Sequence, residues 1–422
     1  MYKPKTPEEA VKIIKSNDRV YLQAAAAAPQ SLIKAMADRH EELKNVEICQ
    51  LHTEGPAPYA DPALKESFHV NSFFIGANIR HTFAAGNGSY TPIFLSELPL
   101  LFKRNIIQLD VALIQVSPPD KHGYCSLGVT VAATLAAIDN AKHVIAQVNP
   151  NMPRTHGDGI IHISELDTFV EVNDSIPEVV PKKPNEVEQQ IGDLIAELIE
   201  DESTLQLGIG SIPNAVLSRL GNHKNLGLHT EMFSDGVIDL ILDDVINGNY
   251  KGVNPGRALT TFLMGSKRLY EYVDDNPFIE MREADYVNNV GLIMQNPKMV
   301  AINSAIELDV TGQVCADSIG MRLYSGVGGQ MDFIRGASLS EGGKAIIALP
   351  SVTKKGISRI VPFLKQGAGV VTTRSHVHFV VTEYGVANLF GKTIKQRVKA
   401  LSEIAHPDHR ENIARSYFDK MH

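Results

Sequence analysis

Three blocks recur in the same order in the two halves of this chain, and that repetition constrains the fold more than any other feature. RVYLQAAAAAPQSLIKAMADRHEELKNVEICQLHTE (19–54) is answered by STLQLGIGSIPNAVLSRLGNHKNLGLHTE (203–231). DVALIQVSPPDKHGYCSLG (110–128) is answered by MVAINSAIELDVTGQVCADSIG (299–320), and KHVIAQVNPNMPRTHG (142–157) by KAIIALPSVTKKGISR (344–359). Each first block reads as strand, small-residue turn, helix and strand, with a proline (Pro29, Pro213) at the helix start. Short apolar runs such as VALIQV, HVIAQV and AIIAL have the unbroken character of strands buried on both faces. The repeat predicts a duplicated α/β domain, that is, two pseudo-symmetric parallel-sheet domains with the active site expected in the cleft between them.

Between the copies lies SIPEVVPKKPNEVEQQIGDLIAELIE, whose prolines at 177, 181 and 184 mark a linker before a helix starting near Asn185. The predicted domains are therefore residues 1–182 and 183–422. At the N-terminus, Thr6 is a candidate cap with Pro7 in the first helical position and Glu8 and Glu9 in the first turn. In the tail, two helices are expected on either side of His406-Pro407-Asp408.

The formal charge of −8 argues against nucleic acid or an anionic membrane as the main partner, while leaving room for an anionic small ligand at a locally positive site. Three scattered cysteines (Cys49, Cys125, Cys315) form neither a disulfide framework nor a zinc-ligand pattern, which fits a reducing cytoplasm. Nowhere do about 18 apolar residues run together, so no transmembrane helix is expected.

The two copies differ where chemistry is expected. After the first strand, copy one has a run of alanines, whereas copy two has Gln206-Leu-Gly208-Ile209-Gly210-Ser211-Ile212-Pro213. Glycine lets a backbone approach a ligand closely, and a helix start offers free N–H groups to an anion. A second cluster, Tyr324-Ser-Gly326-Val-Gly328-Gly329-Gln330-Met-Asp332-Phe333, also lies in the second half. Consecutive glycines after a strand can form a nest of N–H donors for an oxyanion. Gly208-Ile-Gly210 followed by Glu231 also matches part of a dinucleotide fingerprint, but Pro213 replaces the third glycine, so a nicotinamide enzyme is kept only as an alternative.

Taken together, GLHTEMFSDG, LGIGSIPNAV, SGVGGQMDF and SPPDKHGYCSLG resemble the acetyl-CoA hydrolase/CoA-transferase family, within it the branch of 4-hydroxybutyrate and butyryl-CoA:acetate CoA-transferases. The likeness runs from VYLQAAAAAP to VTEYGVANLFGKT. It implies a glutamate nucleophile at Glu231, a CoA-contacting turn at Gly208, Ile209, Gly210, Ser211 and Ile212, and a glycine-rich loop at Gly328 and Gly329. It implies further that Gln206 lies near the reacting carbonyl, that Glu54 is a structural echo, and that the protein is a homodimer. Coenzyme A enters as co-substrate, and no metal is required.

The chemistry suits these residue types. A carboxylate that attacks an acyl-CoA gives a mixed anhydride and CoA thiolate. The thiolate then returns to the glutamyl carbonyl, leaving a glutamyl thioester and a free acid, and an incoming carboxylate reverses the sequence in ping-pong fashion. Each tetrahedral intermediate needs N–H donors; the 326–329 glycine loop, with Gly328 and Gly329, is expected to serve one of the two carbonyls with Gln206 as partner, and Gly326 to contact CoA. The nucleophile must stay ionised, so Glu231 is not expected to be desolvated without donors.

From copy one, Tyr90 in AGNGSYTP and the loop NMPRTHGD (151–158) are candidates for the acyl pocket. Lys354, Lys355 and Arg359 follow a strand and suit CoA phosphates, or form an ordinary basic loop. His376 and His378, two apart on a presumed strand, lack an identifiable third ligand, and no G-x-S-x-G elbow occurs. The sequence therefore predicts a cytoplasmic CoA-transferase acting on short-chain carboxylates. Alternatives are an acyl-CoA hydrolase on the same scaffold and, more remotely, a nucleotide-binding protein.

Overall fold

The capping patterns act as their residues dictate. Thr6 Oγ1 accepts a hydrogen bond from the Glu9 N–H while the Glu9 carboxylate accepts one from the Thr6 N–H, closing a box at the start of helix α1 (Pro7–Ala10). The computed structural model describes residues 3–180 and 182–419. The chain gathers into two units: one runs to Val180 and takes in Leu259–Val287, and the other holds the stretch up to Ala258 and everything from Asn288 onward.

In the first unit, strands β1 (Arg19–Leu22), β2 (Val46–Gln50), β3 (Phe68–Ser72), β4 (Gly88–Tyr90), β5 (Val111–Val116), β6 (His143–Val148) and β7 (Thr168–Glu171) form one sheet. Their order is β7-β6-β5-β1-β2-β3-β4, and every pairing is parallel. Helix α2 (Gln30–Asp38) joins β1 to β2 and buries Leu32, Ile33 and Met36. All six residues of β5 are buried, which is why the sequence there is continuous rather than alternating.

The excursion 259–287 departs from the single cut near residue 182. It belongs to the first unit because its backbone completes that unit's hydrogen bonding. Thr261 O accepts from Val131 N at 3.0 Å, Val129 O from Leu263 N at 2.8 Å, and Met281 O from Asp158 N at 2.8 Å. The strand Ile279–Met281 pairs with His156–Gly157, and Lys103 bridges Glu283 and Asp285 at 2.5 and 2.7 Å.

In the second unit, helix α3 (Glu186–Ala196) starts at Asn185, whose side chain and that of Glu188 close another capping box. Strands β8 (Thr204–Leu207), β9 (Gly227–Leu228), β10 (Met299–Ser304), β11 (Lys344–Ala348), β12 (Phe379–Thr382) and β13 (Gly385–Asn388) lie in the order β9-β8-β10-β11-β12-β13. All pair in parallel except β13, which is antiparallel to β12. The order β9-β8-β10-β11-β12 matches β2-β1-β5-β6-β7, so the two sheets share a topology, with β3 and β4 extra in the first and the antiparallel β13 extra in the second.

Strand register bears on how the two copies of the repeat align. In the first unit Ile48, Val20 and Val111 lie in one row across three strands; in the second, Leu228, Leu205 and Val300 do. Aligning the rows of the matched Val-Ala pairs puts Leu51, not Glu54, against Glu231. By that alignment the two LHTE segments are offset by three residues, and both run on beyond the ends of their strands. Glu54 accordingly falls three residues past the position that matches Glu231. By the same rows Gln23 corresponds to Gly208, and Gln206 to Tyr21.

Of the remaining elements, α4 (Ser211–Leu217) follows β8, α5 (Gln330–Leu339) precedes β11, and α6 (Ile394–Glu403) and α7 (Pro407–Phe418) form the tail, parted at His406. Among the described residues no helix is long and apolar enough to cross a membrane.

Candidate active site

In parallel sheets, ligands meet the loops beyond the carboxyl ends of the strands, where the order of strands reverses. In the first unit that crevice is filled with buried amides. Gln23 Nε2 donates to Leu127 O and Thr130 O at 3.1 and 2.8 Å, Gln115 N donates to Gln23 Oε1 at 2.6 Å, and Gln147 Nε2 donates to Gln115 Oε1 at 2.9 Å. In the second unit the chain instead leaves β8 through Gly208, Ile209 and Gly210. A Cβ at either glycine would meet open space, and Gly210 has φ +134°, a conformation that side chains resist. Ile209 is exposed and Ile212 is buried. Ser211 Oγ donates to Glu188 Oε1 at 2.5 Å, so its hydroxyl is engaged by α3.

One strand over, Thr230 fixes the segment that follows β9. Its hydroxyl lies 2.9 Å from Leu207 O and 2.8 Å from Met232 O, tying the next residue to the carboxyl end of β8. That next residue is Glu231. Its half-buried carboxylate receives Asn288 Nδ2 at a long 3.4 Å and the Gly329 N–H. The approach of Gly329 is so close that a Cβ there would stand 1.9 Å from Glu231 Oε2 and 2.2 Å from Asn288 Nδ2. Glycine at 329 is thus required by space, whereas Gly328, with φ +56°, lies in the left-handed region that favours glycine.

Burial pushes the Glu231 carboxyl up to about 7, with the negative charge of Asp332 adding to the rise and the Asn288 and Gly329 donors opposing it. The expectation of an ionised group protected by donors is met only in part, because two donors do not offset the lost hydration. Asp332 itself is 4% exposed on the first turn of α5, and Asn288 Nδ2 also reaches its Oδ2, at 3.1 Å.

Gln206 is buried in β8, and Asn303 Nδ2 donates to its Oε1 at 2.9 Å. That contact orients the amide so that its NH2 faces away from Asn303; among the described residues nothing accepts from it. Gly326 is buried in the loop that leads to Gly328. Lys354 is exposed near the tip of a hairpin closed by a bridge between Val352 and Ser358. Arg359, at its base, donates from Nη1 to Ala305 O at 3.2 Å; its Nε is buried without an acceptor, and burial lowers the guanidinium from its usual range. Tyr90 ends the edge strand β4 of the first unit and is half-buried.

His376 and His378 precede β12 rather than lying on it, so they do not share a strand face. His376 Nδ1 meets Thr373 Oγ1 at 2.8 Å, and the His378 ring lies 4.3 Å from that of Phe390. Among the described residues no group of three or more His, Cys, Asp or Glu side chains is arranged to hold a metal. The residues that sequence reasoning missed are Asn288, Asn303 and the role of Asp332.

Two α/β units with matching parallel sheets, the second carrying a glutamate pressed against a glycine loop, are those of a CoA-transferase. The chain belongs to the acetyl-CoA hydrolase/transferase family, matching its N-terminal domain over residues 1–181 and its C-terminal domain over 265–417. It is 51% identical to a succinyl-CoA:acetate/propanoyl-CoA:succinate CoA transferase of Fasciola hepatica, over 98% of this chain and 87% of that one. It is 49% identical to a 4-hydroxybutyrate coenzyme A transferase of Clostridium kluyveri, over 99% and 98%. Among solved structures it is similar to a 4-hydroxybutyrate CoA-transferase of Porphyromonas gingivalis, with 41% identity, TM-score 0.85, and coverage of 99% and 98%. RipA from Yersinia pestis gives 35% identity, TM-score 0.94, and coverage of 100% and 98%. The protein is an enzyme that transfers CoA.

Proposed function

We propose that the protein moves CoA between short-chain carboxylates, 4-hydroxybutyryl-CoA or butyryl-CoA exchanging with acetate, by a ping-pong route through a glutamyl-CoA thioester on Glu231. The observation that carries this reading is the α-carbon of Gly329 packed onto the Glu231 carboxylate, with its N–H and the Asn288 amide as donors. A nucleophile needs such support: held in place, partly stripped of water, and next to N–H groups able to follow charge onto a carbonyl oxygen. Gly328 and Gly329 serve one carbonyl, with the NH2 of Gln206 as partner, and Gly326 contacts CoA. Gly208, Ile209, Gly210, Ser211 and Ile212 line the path of CoA largely through backbone, since Ser211 and Ile212 turn their side chains inward. Lys354 and Arg359 supply positive charge for phosphate, and Tyr90 contributes to acyl binding. The acyl groups follow the names of the relatives; homodimerisation and a cytoplasmic setting rest on the family likeness and on three buried free cysteines.

The test is covalent trapping. The protein is incubated with butyryl-CoA, reduced with borohydride, digested and mapped by mass spectrometry. A reduced residue at Glu231, lost in Glu231→Gln together with turnover, supports the mechanism. Modification at Glu54, or near-normal turnover of Glu231→Gln, overturns it. Because the family name includes hydrolases, acetate is then added: formation of acetyl-CoA marks transfer, and free CoA alone marks hydrolysis.

A further inference from the structure

Two carboxylates share one amide at this site. Asn288 is fully buried, its Nδ2 lies 3.1 Å from Asp332 Oδ2 and 3.4 Å from Glu231 Oε2, and its Oδ1 is buried with no donor. Leaving Oδ1 unmet is unfavourable by about 1–3 kcal/mol, so the amide is held in this orientation by the two acids in front of it. The acids are not equivalent. Asp332 is the third residue of the ten-residue helix α5, where the positive end of the helix favours its charge. Glu231 lies on an irregular segment, where Asn288 Nδ2 stands at a long 3.4 Å and the Gly329 N–H donates to it. His229, the other titratable group close by on that segment, is turned elsewhere: Asn296 Nδ2 meets its Nδ1 at 2.9 Å, and its ring abuts Phe333 at 5.9 Å.

The chemistry gives that asymmetry a use, on the reading that Glu231 is the nucleophile. When Glu231 attacks the thioester carbonyl, a carbon–oxygen bond forms, the carbon–sulfur bond breaks, and the negative charge leaves with the thiolate. When the thiolate attacks the glutamyl carbonyl, the carbon–oxygen bond of the anhydride breaks and the charge leaves with the released acid. In both covalent states Glu231 is neutral. A fixed negative charge beside it therefore opposes the resting carboxylate and leaves the anhydride and thioester untouched.

We propose that Asp332 is a positioning residue for the transfer, holding the Asn288 amide toward Glu231 and, through its charge, tilting the balance from the free carboxylate to the covalent glutamyl-CoA. Protonation and acylation both remove the charge on Glu231, so one interaction governs both. The same repulsion that favours the proton at low pH favours the acyl group at working pH.

Asp332→Asn keeps the size and an acceptor oxygen while removing the charge. Two readings are taken on the intact enzyme: the acid limb of kcat/KM against pH, and the fraction of protein trapped as the Glu231 thioester at equilibrium with fixed acyl-CoA and free acid. The expected result is an acid limb moved to lower pH by about one unit, with a trapped fraction at pH 8 reduced several-fold. Asp332→Glu, which restores the charge, moves both back toward the parent. A purely structural role predicts a lower kcat with the limb unmoved, and that outcome overturns the proposal. Should Asp332→Asn not fold, Asp332→Ser is read in the same two ways. The parent enzyme separates the two levels of inference: if it traps no thioester at Glu231, the mechanism itself fails; if it does and the limb stays fixed in the variants, only the role of Asp332 fails.

Discussion

At the scale of single residues, the position of the Glu231 carboxyl near 7 makes two predictions. As nucleophile it must be ionised, so kcat/KM is expected to fall about tenfold per unit as pH drops below about 7, checked by a pH–rate profile with butyryl-CoA. Stability moves the other way. A carboxyl raised in the fold from an ordinary 4.5 binds more protons folded than unfolded between those values. The fold therefore loses stability as pH rises from about 4.5 past 7. Glu231→Gln removes the loss: in urea unfolding the variant is expected to exceed the parent by about 1–3 kcal/mol at pH 8, with the gap closing at pH 4.5. No gap at pH 8 would mean the carboxylate is not strained by its surroundings. Glu231 was legible because its motif and neighbours mark it. Asn288 was not, since it lies 57 residues on in VNNV, a stretch with no pattern, and only the fold brings it near. Asp332 stood inside a quoted motif, but an aspartate in a helix's first turn reads equally well as a helix-end charge.

At the scale of elements, local signals were read well and pairing was not. The caps at Thr6 and Asn185 follow from short-range chemistry that a sequence carries in full. Asn185→Ala is expected to reduce stability by about 1 kcal/mol in chemical unfolding, with turnover unchanged. The repeated LHTE, by contrast, suggested equivalent glutamates, and the ladders separate them by three residues. A tetrapeptide reports composition, whereas register is decided by every pairing along the strand, so such an offset is invisible until the sheet is assembled. The histidines at 376 and 378 failed similarly, because alternation implies a shared face only once a strand is present. The glycine loop before α5 gives a sharper test. Gly329→Ala brings a methyl to 1.9 Å from Glu231 Oε2, so the carboxylate must move. Turnover is expected to fall by about 10²-fold or more, with CoA affinity largely kept in calorimetry. Gly208→Ala adds a methyl that meets no protein atom within 4 Å but stands on the proposed path of CoA, so it is expected to weaken CoA binding in calorimetry rather than displace Glu231.

At the scale of the whole chain, the sequence indicates two similar α/β halves but hides the return of 259–287 to the first unit. No composition shift marks that excursion, and its ties include backbone bonds to residues more than 100 positions earlier. Cutting the chain at 182 therefore leaves the first half incomplete. A fragment of residues 1–182 loses the partners of Val129 O, Val131 N, Ala132 N and Asp158 N, and it leaves Lys103 without Glu283 and Asp285. Removing that segment also bares apolar residues such as Val129 and Val131, fully buried in the intact chain, at about 1.5–3 kcal/mol per side chain, against a whole stability of about 5–15 kcal/mol for a typical domain. The fragment is expected to show no cooperative thermal transition by circular dichroism. Adding residues 259–287 back through a flexible linker is expected to restore one, because the missing segment supplies those acceptors and donors directly. A cooperative transition in 1–182 alone would mean that the sheet order β7-β6-β5-β1-β2-β3-β4 is sufficient without the excursion.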